Sequence, residues 1–108
     1  MKLNELKNNL ETLNIPVAYN FFKEEQILPY IVILSDGEES GGSDYGNELI
    51  RRVFIIELYS VQKDEALEDK LEKLLTEMAV KWIKYETYID DEDMYQCAYH
   101  IEFYEKRS

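Results

Sequence analysis

The sequence predicts an α+β domain in the order α-β-β-β-α-β-β, a mostly antiparallel sheet with two helices packed on one face. Three observations predict it. Leucines recur at helical spacing in two short windows, near residues 2–13 and 64–79. Apolar and polar residues alternate with period two from Met94 to Tyr104. Runs rich in β-branched and aromatic residues, bounded by Pro, Gly or Asp, fill much of what remains.

Leu3, Leu6, Leu10 and Leu13 form one apolar stripe on a first helix. Pro16 ends it, because the residue before a proline is pushed toward extended geometry. Val17 to Phe22 then reads as a short strand and Lys23 to Gln26 as a polar connection. Pro29-Tyr30-Ile31-Val32-Ile33-Leu34 reads as a buried strand. Residues 36–47 hold all four glycines together with Asp36, Glu38, Glu39, Asp44 and Tyr45. That composition predicts a long, acidic, flexible loop.

Glu48 to Val61 reads as a long strand. Phe54, Ile56 and Leu58 share one face, while Val53, Ile55 and Tyr59 share the other, so part of it is central in the sheet. Asp64 suits an N-cap, and Glu65 and Glu68 suit the positive end of a helix dipole. Leu67, Leu71, Leu74, Leu75 and Met78 carry the second helix. From Val80 to Ile89 the pattern is that of a strand, with a helix running on through Trp82 as the alternative. Asp90-Asp91-Glu92-Asp93 is a tight acidic turn. In the last strand Tyr95, Cys97, Tyr99, Ile101 and Phe103 face one way, and Gln96, His100 and Glu102 the other. Residues 105–108 read as a frayed polar tail.

The 108 residues fit one domain, 1–108. Twelve Lys+Arg against 23 Asp+Glu give a formal net charge of -11. That field disfavours nucleic-acid binding through a broad basic surface, and it disfavours an anionic membrane surface. The opening Met1-Lys2-Leu3-Asn4-Glu5 lacks the apolar region of a signal peptide. The single cysteine, Cys97, permits no internal disulfide and fits a reducing compartment.

The chemistry of catalysis is not legible. Alternation sends Cys97 and His100 to opposite faces of their strand, so they do not form a nucleophile–base pair. One Cys and one His fall short of a zinc site, and no cofactor is expected. The acidic turn at 90–93 lacks the spacing of an EF-hand. Gly37, Gly41 and Gly42 are not followed by the Lys-Ser or Lys-Thr of a phosphate loop. Carboxylates are abundant, but nothing marks two of them as sharing a cleft.

Interaction signals are clearer. Arg51 and Arg52 are an isolated basic pair directly after the glycine-rich segment. They suit either solvated residues or an intrachain ion pair, or partners for the acidic turn of a neighbouring copy. With Glu38, Glu39, Asp44 and Tyr45 they make up the candidate interaction set. The Tyr-rich last hairpin suits a core or an interface.

The opening helix with Ile15-Pro16-Val17-Ala18-Tyr19 and Pro29-Tyr30-Ile31-Val32 resembles small proteins of phages and prophages of low-GC Gram-positive bacteria. So do Ile56-Glu57-Leu58-Tyr59, Leu67-Glu68-Asp69-Lys70-Leu71-Glu72, Glu86-Thr87-Tyr88-Ile89 and Met94-Tyr95-Gln96. Those proteins are encoded among head-tail joining and tail genes. The order of elements is similar to that of the tail terminator, or tail completion, proteins of long-tailed phages.

The resemblance implies a non-enzymatic virion protein, assembled in the bacterial host cytoplasm. It implies a homo-oligomeric ring, typically of about six copies, on the head-proximal end of the tail tube. The implied partners are further copies of itself, the tail tube protein and the head connector proteins. Neither sequence-specific nucleic-acid binding nor a membrane is implied. An acidic lumen would let DNA pass without sticking, and the 36–47 segment would order against a neighbouring ring. The alternatives are a tail assembly chaperone and an acidic inhibitor that mimics nucleic acid.

Overall fold

The computed structural model describes residues 2–42 and 48–107. Helix α1 spans Leu3–Glu11 and α2 spans Glu65–Glu77. The strands are β1 (Val17–Tyr19), β2 (Tyr30–Gly42), β3 (Glu48–Ser60), β4 (Lys81–Ile89) and β5 (Met94–Arg107). They form one sheet in the order β1-β2-β3-β5-β4. All pairings are antiparallel except the short parallel one between β1 and β2. Class and element order are those the sequence predicts.

The register explains the core. Phe54, Ile56 and Leu58 of β3 lie beside Ile101, Tyr99 and Cys97 of β5. Ile31 and Ile33 of β2 complete this face, on which Leu6 and Leu10 of α1 and Leu71 and Leu75 of α2 are packed. Each helix therefore spends its leucine stripe on the same side of the sheet. Burying these side chains is the main favourable term in holding the layers together.

The helix ends show local chemistry. The Asp64 carboxylate accepts from the Leu67 backbone N–H at 3.1 Å, a side-chain N-cap for α2. At the other end Val80 N–H donates to the Leu75 carbonyl at 3.2 Å and Ala79 N–H to Thr76 at 3.0 Å. This is a Schellman closure, with Ala79 in the left-handed region at φ 59°. The closure stops α2 before Trp82, and β4 begins at Lys81.

Two segments differ from expectation. Residues 36–42 are strand, not loop: β2 continues past a one-residue bulge and pairs Glu38–Gly42 with Glu48–Arg52. Gly37, at φ 112°, supplies the backbone freedom that the bulge requires. Residues 43–47 lie outside the described residues. Residues 105–107 are likewise strand and not frayed tail, with Glu105 opposite Ile50 and Arg107 opposite Glu48. The paired stretches 38–42, 48–52 and 103–107 make a three-stranded arm of the sheet, and the molecule measures 51 × 27 × 22 Å. The first strand is shorter than the expected 17–22, because the chain leaves the sheet after Tyr19.

Candidate functional site

The candidate interaction residues fall on the arm. Arg52 Nη1 lies 2.6 Å from Glu38 on β2, and its Nε donates to Glu105 on β5 at 2.9 Å. Arg51, on the opposite face, donates to Glu102 at 3.1 Å. Glu39 is the register partner of Arg51 on β2. Hydrogen bonds from Arg51 and Tyr104 hold the Glu102 carboxyl below the usual carboxylate range. Both guanidinium groups thus find carboxylates within their own chain. Asp44 and Tyr45 lie outside the described residues.

A second surface lies where residues 20–28 pass over the helix-free face of the sheet. They roof an open groove of about 1060 Å³, lined also by Tyr30, Glu57 and Tyr59. Tyr30 meets Phe22 edge-on at 5.3 Å and Tyr59 at 5.2 Å. Tyr59 donates to Glu57 at 3.0 Å, and the Gln96 amide donates to both. Burial pushes the Tyr59 phenol up to about 12. The Tyr59 phenol is thus a neutral hydrogen-bonding group and not a base. Phe21 and Ile27, 68% and 89% exposed, stand at the rim. The sequence marks Phe21 and Phe22 as strand; only the departure of the chain after Tyr19 turns them into a groove wall.

A third cluster is internal. Glu68 of α2 is 3% exposed and accepts from Lys63 at 2.7 Å and from Lys84 at 3.0 Å. Lys84 also donates to Glu72 at 2.8 Å, and Lys63 is joined to Glu86. Burial opposes ionisation of Glu68, but the two lysines outweigh it and lower its pKa. Burial likewise opposes the charge on Lys84, and the hydrogen bonds to Glu72 and Glu68 raise its pKa in spite of it.

Glu68, Glu86 and Cys97 place ligand atoms within 4.8 Å of one another, the spacing of a metal site. Two ammonium groups already serve those carboxylates, and burial pushes the Cys97 thiol up to about 11. A cation would have to displace an ion pair and deprotonate a reluctant thiol. The chemistry of the cluster is therefore that of a clamp between α2 and the β4–β5 hairpin. The sequence does not reveal it, because its members come from four separate segments.

His100 lies on the helix-free face, edge-on to Tyr85 at 5.2 Å, while Cys97 is buried on the helix face. Alternation separates them as expected. No helix among the described residues is long and apolar enough to cross a membrane.

A chain from the virion of a native gene transfer agent (GTA) particle has a similar fold. The likeness has a TM-score of 0.54 at 11% sequence identity and covers 86% of this chain and 81% of that one. No protein-family model and no curated protein matches the sequence. At this identity the likeness is one of fold, shared over nearly the whole of both chains.

Proposed function

We propose that this chain is a structural protein of a phage or phage-like virion. It sits at the head–tail junction or tail end, in a ring of about six copies that terminates the tail tube and meets the head connector. The observation that carries the reading is the shared fold with a chain of the GTA virion, over 86% and 81% of the two chains. The resemblance of the sequence to tail-end proteins points the same way. An elongated molecule with a projecting β arm suits a subunit that reaches across to a neighbour.

The ion pairs weigh against the nucleic-acid mimic. Glu38, Glu68, Glu72, Glu86, Glu102 and Glu105 are each matched to a Lys or Arg of the same chain. They do not stand in rows as unpaired phosphates do. In this reading the arm is the part that contacts a neighbouring copy or the adjoining ring, through Glu38, Glu39, Arg51 and Arg52 or the residues beside them.

Two measurements test the reading. Particles purified from producing cells are analysed by mass spectrometry, and the purified protein is imaged by negative stain with and without tail tubes. The chain is expected in the particles, and closed rings are expected on tube ends. Particles that lack the chain would overturn a virion role; tube ends without rings would overturn the terminator role.

A further inference from the structure

The two edges of the sheet are built differently. At one edge β2 is covered by only three residues of β1, and beyond them it is interrupted by the bulge at Gly37 and carries Asp36, Glu38 and Glu39. Short strands, bulges and charge are the usual defences of a sheet edge. At the other edge β4 runs for nine residues without proline, glycine or bulge, in unbroken register with β5. Among the described residues, the backbone of Lys81–Ile89 makes no hydrogen bond outside that ladder. Ile83, Tyr85 and Tyr88 are 54%, 57% and 45% exposed along it. Such an edge is a template for another strand.

The residues of β4 also say which strand. In a two-fold antiparallel pairing of β4 with itself, opposed residues share a face, so the axis passes through one residue. Tyr85 is the midpoint of Lys81–Ile89, so an axis there opposes all nine residues of each copy. It places Lys84 opposite Glu86, Trp82 opposite Tyr88, Ile83 opposite Thr87 and Tyr85 opposite itself. Those are an opposite-charge pair, aromatic pairs and a β-branched pair, the combinations that stabilise antiparallel strands. Moving the axis to Lys84 or to Glu86 sets like charges face to face. Within the single chain Lys84 is paired with Glu72, and Glu86 with Lys63.

We propose that the free protein pairs with a second copy of itself through β4, antiparallel about Tyr85, joining the two sheets into one. The interface is two-fold and self-complementary. It is therefore distinct from the head-to-tail contacts that close a ring, and it stands whether or not the chain is a virion component.

Cross-linking and mass measure it on the purified full chain. Light scattering at micromolar concentration should give the mass of two chains. Tyr85→Lys, which sets two ammonium groups together on the axis, should return it to one. Tyr85→Cys should form an intermolecular disulfide on mild oxidation, because opposed Cα atoms lie about 4.5–5.5 Å apart. Thr87→Cys should not, since each Thr87 faces Ile83 of the other copy. Both positions are exposed, so the variants should fold, which circular dichroism checks. The native Cys97 is buried and serves as an uncross-linked control in the parent. A parent of one-chain mass, or a Tyr85→Cys variant that forms no disulfide-linked dimer, would overturn the proposal. So would equal cross-linking at both positions, or a dimer that Tyr85→Lys leaves intact.

Discussion

Lys84 on the edge strand and Glu72 on α2 meet at 2.8 Å, directly beside the Tyr99 ring, over which the Lys84 ammonium stands at 5.8 Å. Tyr99 is fully buried and donates its own hydroxyl to the same Glu72 carboxylate at 2.7 Å. With Glu68 and Lys63 these residues tie α2 to β4 and β5 through polar contacts at the border of an apolar core.

Glu68→Ala should destabilise the fold by about 2 kcal/mol, since it leaves Lys84 and Lys63 short of a buried partner. The figure lies below that for a fully buried pair because both lysines reach solvent. Urea denaturation followed by circular dichroism measures it. A loss no larger than that of Glu65→Ala on the exposed side of the helix would contradict the clamp.

The same carboxylate predicts an acid-side pH dependence. The pKa of Glu68 is lowered in the folded state, so its contribution is complete above the unfolded glutamate value of about 4.3. It is lost as pH falls through the lower folded value. Lys84 has a raised pKa, so its contribution is complete below about 10.4 and is lost at more alkaline pH. Denaturation midpoints should therefore fall at both extremes. In Glu68→Gln the acid-side fall should be shallower; an unchanged acid limb would contradict the assignment.

Tyr99→Phe should cost about 1 kcal/mol, the usual net value of one intramolecular hydrogen bond, with the ring packing retained. Thermal unfolding of the variant tests this. A neutral substitution would mean that Glu72 compensates entirely through Lys84.

Ala79→Gly should stabilise the protein. Ala79 closes α2 at φ 59°, a conformation in which a Cβ is strained by about 1 kcal/mol and glycine is not. The extra freedom that glycine brings to the unfolded chain offsets part of this, so a gain of about 0.5 kcal/mol is expected. Denaturant midpoints compared at fixed slope give the sign; a destabilised variant would contradict the argument.

Arg52→Ala should cost about 1 kcal/mol or less, as befits a charge network near the surface. Its effect should be local. Backbone amides of the arm, in Glu38–Gly41 and Leu49–Arg51, should exchange faster with solvent, while those of Ile56 and Leu58 should not change. Uniform acceleration across both sets would show that the arm and the core open together.

Class, element order and the two faces of the central strands follow from the sequence alone. Period and composition are local properties: Leu6 and Leu10 at helical spacing, and Cys97, Tyr99 and Ile101 at strand spacing, each need a single apolar partner surface. Alternation likewise settles that Cys97 and His100 point apart. Tertiary structure decides the rest. Glycines and acidic residues at 36–42 read locally as a loop, yet pairing with β3 and a bulge at Gly37 make them strand. The clamp joins Lys63, Glu68, Glu72, Lys84 and Glu86, which no local window contains. Strand order determines that β4, and not β5, lies at the edge, because hydrogen-bond partners are chosen between distant segments and leave no periodic trace in either one.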